Sequence, residues 1–249
     1  MTGGLGMYYY IQLSAAASIC TVLGALPALL LRHVSHRGKD ILLAYAAGIM
    51  VAASTYGLIP SALRLSNFYV LTAGILLGTL LLTFLELYVP HSDPGHGTDK
   101  TTVNRPYSLL LMAMVLHNLP EGLSTGVSLA TGETNLGMLV TVAIGLQNIP
   151  EGFLVALFLI TQGTSRRKAL LYSLLISSTE WIASGVGYVF ATRLEFLIPY
   201  GLAFAGGAML YVVYKELIPE SHGDGNEIPA TIAFIIGTLT MIGLTSWLG

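Results

Sequence analysis

The sequence predicts an all-α, polytopic membrane protein with eight transmembrane helices related by inverted-repeat symmetry. Three observations predict it. Of 249 residues, 54% are hydrophobic and only 10% are charged, whereas a soluble domain carries roughly a quarter. Eight apolar stretches are each long enough to cross a bilayer core. Two pairs of segments repeat along the chain.

The stretches run over 8–31, 40–61, 69–89, 107–130, 136–160, 169–191, 198–218 and 229–248. They use most of the chain, so 1–249 is expected to be one transmembrane domain. The connection over about 90–106 reads as a flexible cytoplasmic loop. No basic segment precedes the first stretch, which is expected to be a retained helix and not a cleaved signal. A lone Cys20 makes no intrachain disulfide. No nucleic-acid partner is expected.

Charge sets the orientation, because cytoplasmic loops are enriched in Lys and Arg. With the N-terminus outside, the cytoplasmic connections hold Arg32, Arg37, Lys39, Lys100, Arg105, Arg166, Arg167, Lys168 and, at a helix end, Lys215. These are nine of the eleven basic residues; Arg64 and Arg193 remain outside. Both termini are therefore expected on the non-cytoplasmic side.

The first repeat is His117-Asn118-Leu119-Pro120-Glu121-Gly122 and Gln147-Asn148-Ile149-Pro150-Glu151-Gly152, in the fourth and fifth spans. They share N-x-P-E-G, and adjacent spans present it with opposite polarity. The second pairs Ala46-Ala47-Gly48-Ile49-Met50 and Leu58-Ile59-Pro60 with Ala205-Gly206-Gly207-Ala208-Met209 and Leu217-Ile218-Pro219. Matching, Pro-interrupted helices in inverted halves point to a transport site near the midplane.

A carboxylate near the bilayer centre costs from about 2.5 to more than 10 kcal/mol. Glu121, Glu151 and Glu180 lie deep in apolar spans with no deep Lys or Arg to pair them. A bound cation is the simplest partner, and protonation is the other option. His117 and Glu121 are i,i+4 and share a helix face, with Asn118 beside them; Gln147, Asn148 and Glu151 repeat the pattern. Pro120 and Pro150 each remove a backbone hydrogen bond, freeing the carbonyls of Leu116 and Leu146. Gly122 and Gly152 permit close helix approach. The result is two facing half-sites with one imidazole.

Carboxylate, amide and imidazole suit Zn²⁺, Mn²⁺ or Fe²⁺, with Cd²⁺ as a guest. Imidazole argues against Mg²⁺ and Ca²⁺, which prefer oxygen shells. No Cys or Met cluster supports exclusive Cu⁺ transport. Met50 adds a thioether if the second helix faces the site, or otherwise packs in the core. Glu180 is a ligand, or is capped by the hydroxyls of Ser177, Ser178 and Thr179. Glu216 is an accessory ligand, or is neutralised locally by Lys215. Glu86 lies toward the cytoplasmic end of its span, within reach of water. His91, Asp93 and His96 form a short tract that binds metal weakly or is a solvated loop.

These residues resemble the ZIP (Zrt-, Irt-like) family of metal transporters along essentially the whole chain. The tandem H-N-x-P-E-G and x-N-x-P-E-G motifs carry the resemblance. Gly48-Ile49-Met50 and Glu216-Leu217-Ile218-Pro219-Glu220 are most similar to the bacterial GufA-like branch. The resemblance implies transport of divalent transition metals toward the cytoplasm through a binuclear centre, in the cell (inner) membrane of a prokaryote. It implies a primary site of His117, Glu121, Gln147 and Glu151, with Met50 contributing. The second position would use Asn118, Glu121, Asn148, Glu151 and Glu180. It also implies a homodimer and sliding of one helix bundle against another. Where many members have His, this chain has Gln147; where some have Asp, it has Asn148. The second position is therefore less charged than it could be.

Three alternatives differ in chemistry. A neutral-solute channel does not need a buried Glu after each N-x-P. An intramembrane metallohydrolase needs two or three His on zinc and a general base, but only His117 of six His is deep and no H-E-x-x-H occurs. No enzymatic activity is expected. A metal-selective channel would keep the same site and differ only in kinetics.

Overall fold

In the computed structural model, residues 3–31, 34–88 and 107–248 are described. They form eight long helices and, among the described residues, no strand. We label them α1 (Gly3–Ala28), α2 (His36–Arg64), α3 (Phe68–Tyr88), α4 (Tyr107–Ala130), α5 (Thr134–Thr161), α6 (Arg166–Arg193), α7 (Ile198–His222) and α8 (Glu227–Leu248). Seven of these, judged on the described residues, are long and apolar enough to cross a membrane. The eighth, α4, carries His117, Asn118 and Glu121 in its middle.

Local chemistry explains the ends. Ser35 and Ser165 cap α2 and α6, their hydroxyls accepting from the N–H groups of Gly38 (3.1 Å) and Lys168 (3.4 Å). Asn67 accepts from Tyr69 and Val70 at the start of α3. Gly132, Gly163 and Gly225 turn the chain with φ of 74°, 84° and 79°, a region that L side chains rarely enter. The first helix stops at Ala28, short of the expected 31. There the chain tightens, with the Leu29 N–H bonding the Leu26 carbonyl and Leu30 the Pro27 carbonyl.

The second repeat is visible in the backbone. In α2 the segment Ala53–Leu58, and in α7 the segment Val213–Leu217, widen to π-helix immediately before the Ile-Pro pairs. In both, the Ile N–H reaches five residues back, Ile59 to Ser54 and Ile218 to Val213. Pro60 and Pro219 cannot donate, and a widened turn accommodates the ring without breaking the helix.

Helices pair tightly as α1/α5, α4/α6, α2/α8 and α3/α7. Exchanging α1 with α6, α4 with α5, α2 with α7 and α3 with α8 maps this pairing onto itself, as an inverted repeat requires. Each pair is made by glycines whose missing Cβ admits a neighbouring backbone. A Cβ on Gly24 would meet the Ile149 carbonyl oxygen at 2.0 Å, and one on Gly48 the Phe234 oxygen at 2.1 Å. Van der Waals packing of this kind holds membrane helices together, because lipid removes the hydrophobic drive.

Beside the cap of α2, Asp40 is buried and accepts from the Asn226 amide at 2.9 Å, tying α2 to the turn before α8. Asn226→Ala strands that carboxylate and is expected to cost about 1–3 kcal/mol, read as a lowered melting temperature in detergent.

Candidate metal centre

The two N-x-P-E-G segments lie in mid-helix on α4 and α5, which pass through Pro120 and Pro150 without breaking. His117, Asn118, Glu121, Gln147, Asn148, Glu151 and Glu180 are all buried. His117 Nε2 lies 3.6 Å from Glu121 Oε1 and 3.6 Å from Glu151 Oε1. Ligand atoms of these three residues all fall within 4.8 Å of one another, forming a cluster able to hold a metal ion.

The 3.6 Å spacing is too long for a hydrogen bond. It suits two ligands of a common ion: at roughly 2.0–2.2 Å from a tetrahedral zinc, neighbouring N and O atoms stand about 3.4 Å apart. The polar atoms support the same geometry. His117 Nε2, Glu121 Oε2, Glu151 Oε1, Gln147 Oε1 and Glu180 Oε1 are buried without a hydrogen-bond partner. Such atoms are costly in a low-dielectric interior unless something polar meets them.

The remaining predicted residues arrange around this centre. The Gln147 amide donates to Glu121 Oε1. The Asn148 amide donates to Glu180 Oε2 (2.8 Å) and to the Ala17 carbonyl of α1 (3.1 Å). The Asn118 amide donates to the Ile176 carbonyl of α6 (3.1 Å). The neighbouring hydroxyls do not cap Glu180. Ser177 donates to the Ser18 carbonyl, Ser178 to Leu174 and Thr179 to Ile176, so the carboxylate turns to Asn148 instead. Glu216, in the widened turn of α7, has Oε2 3.7 Å from His117 Nδ1. Met50 is buried in the apolar core with Ile49 and Ile144. His91, Asp93 and His96 lie outside the described residues.

Sequence reasoning missed the part played by α1, whose Ala17 and Ser18 carbonyls anchor Asn148 and Ser177. The signal was present as Ser14, Ser18 and Thr21, a small polar stripe at helical spacing in an apolar span. It also missed the pairing of Glu86, which accepts from the Tyr211 hydroxyl at 2.7 Å. A reader could not choose Tyr211 among thirteen tyrosines.

Eight helices in inverted pairs, with an imidazole and carboxylates gathered at mid-helix, define a polytopic membrane protein of the metal-transporter class. The profile of the family "ZIP Zinc transporter" matches residues 89–245. Zinc transporter ZIPB of Bordetella bronchiseptica is 37% identical over 97% of this chain and 82% of its own length. Zinc transporter GufA of Myxococcus xanthus is 37% identical over 95% of this chain and 97% of its own. Zinc transporter ZupT of Streptococcus mutans is 26% identical over 92% and 93%. The chain belongs to the ZIP family of metal transporters, which are transporters and not enzymes.

Proposed function

We propose that this protein moves Zn²⁺ across the membrane toward the cytoplasm, with Cd²⁺, Mn²⁺ or Fe²⁺ as further substrates. The observation that carries this reading is the trio His117, Glu121 and Glu151, with ligand atoms at metal-bridging distance. Gln147 completes the primary site through its unpartnered oxygen. Asn118, Asn148 and Glu180 form a second position beside it, sharing Glu121 and Glu151. Met50 of α2 contributes to the primary site and Glu216 of α7 is an accessory ligand, each on an element that carries a widened turn.

Both termini face outside, so the basic loops lie in the cytoplasm. The chain works as a homodimer, in a prokaryotic cell (inner) membrane. Carboxylate charge replaces the ion's hydration on entry. Release follows when the α1/α4/α5/α6 group slides against the α2/α3/α7/α8 group and the ligands lose their geometry. Metal ligands must be deprotonated, so protons compete with the ion at this centre. The His91/Asp93/His96 tract accepts or senses released metal.

Uptake into proteoliposomes loaded with a zinc-sensitive dye tests the reading. Saturable, strongly temperature-dependent uptake is expected. Non-saturating flux with weak temperature dependence would make the protein a metal-selective channel, and no flux would overturn the function.

Gln147→His tests ligand chemistry. Imidazole is a better zinc ligand than an amide oxygen. The variant is expected to bind zinc more tightly by about tenfold, which corresponds to about 1.4 kcal/mol, measured by competition with a chelating dye.

A further inference from the structure

Where the α3/α7 pair meets the α4/α6 pair, the surface opens into a cavity of about 270 Å³. Its wall is mostly hydrocarbon, from Leu77 of α3, Leu123 and Val127 of α4, Phe190 of α6 and Phe204 of α7, with Tyr200 of α7 beside them. Glycines create the recess. Gly74, Gly187 and Gly201 line it, and a Cβ on Gly201 would point at Val127, 3.0 Å from its Cγ2. Leu77 and Phe190 at the rim are each 58% exposed, so the recess is continuous with the lipid-facing surface.

We propose that this recess is a binding site for one acyl chain of a phospholipid in the non-cytoplasmic leaflet. Its depth fits. From Phe68, at the outer end of α3, to Leu77 is nine residues, or roughly 14 Å at 1.5 Å per residue. One leaflet of the hydrocarbon core is about 15 Å thick. All four helices contribute residues from their outer ends, and Arg193 ends α6 two residues beyond Ala191 of the lining. That places a cation at headgroup level above an apolar slot. Tyr200 is the one polar side chain among the lining residues, so a polar solute finds little to bond in the recess, and a folded segment of protein is wider than a slot of this volume. The chain in the slot wedges two helix pairs that belong to opposite sliding groups, so its presence biases their relative position. The inference uses the proposed orientation only to name the leaflet.

The test is photolabelling in liposomes with phosphatidylcholine carrying a diazirine on one acyl chain, followed by peptide mapping of the adducts. Adducts are expected to be enriched several-fold at Val127 and Phe204 over the outward-facing Leu76, Leu80 and Ile232, which are more exposed. Leu77→Trp plugs the rim from an exposed position and is expected to remove the adducts at Val127 and Phe204 while leaving those at Leu80 and Ile232. Uniform labelling that follows exposure would overturn the proposal, as would labelling indifferent to the plug. Crosslinks from Val127 to a second copy of the chain would also overturn it. None of these readouts depends on metal uptake, so failure here leaves the transport reading standing.

Discussion

Glu121→Ala is expected to reduce zinc uptake to the level of empty liposomes, and Glu151→Ala to do the same. Glu121 is fully buried, its Oε1 faces His117 and receives the Gln147 amide, and its Oε2 has no partner. Removing it takes a full charge and one ligand from a site that must replace an ion's hydration shell. A deficit of only about 1.4 kcal/mol in binding already lowers affinity tenfold, and a missing carboxylate in a low-dielectric interior costs more than that. Alanine also strands the Gln147 amide, at about 1–3 kcal/mol of stability. Glu121→Gln keeps the shape and a hydrogen-bonding partner for Gln147, so it separates the two effects. Folded Glu121→Gln that binds zinc normally in a dye-competition assay would remove Glu121 from the site.

Gly152→Val is expected to prevent recovery of folded protein. A Cβ at position 152 would lie 1.9 Å from the Thr21 carbonyl oxygen and 2.7 Å from its carbon. Those atoms are backbone, so α1 and α5 must move apart by more than an ångström. Overpacking costs typically 1–3 kcal/mol. Here it also separates Asn148 from the Ala17 carbonyl, which lies in the same helix interface. Gly243→Ala is the control. A Cβ there meets nothing within 4 Å, and alanine favours the helix over glycine by about 1 kcal/mol. A sharp, monodisperse elution peak for Gly152→Val with native melting would contradict the close-approach account.

The final residue of the motif therefore has a different task from the fourth. The Glu lines the centre. The Gly brings a third helix against it: Gly152 admits α1, and Gly122 admits α6 at the carbonyl of Glu180 itself, 2.2 Å from where its Cβ would be. Tandem N-x-P-E-G thus couples the packing of four helices to the placement of the carboxylates. Substitutions at the Gly and at the Glu should both abolish transport, but only the first should prevent recovery of folded protein.

Much was legible before any coordinates. Eight apolar runs match eight helices, because lipid leaves a spanning backbone few options besides a helix. Boundaries shifted by a few residues, as at Ala28, because turn bonds between polar backbone groups decide ends that hydropathy does not register. The buried Glu, Asn and His residues stood out because an unpaired polar group is expensive in an apolar run. Spacing by three and four residues put them on common faces, and the helices kept those faces.

Partner choice was decided only by the tertiary structure. The spacing in the sequence could not say that Asn148 would reach α1, that Asn118 would reach α6, that Tyr211 would hold Glu86, or that Glu180 would turn from its adjacent hydroxyls to an amide on another helix. Each Ser and Thr beside Glu180 bonds a carbonyl instead: Ser178 and Thr179 reach their own backbone four and three residues back, as helix hydroxyls readily do, and Ser177 reaches the Ser18 carbonyl of α1. Nor could the repeat near Pro60 and Pro219 announce itself as a widened turn, because the ring's conflict with the preceding carbonyl has several resolutions. Helix faces are encoded locally, by period and cost of burial. Which face meets which is encoded in glycines scattered over eight helices, and that matching exists only when the chain is folded.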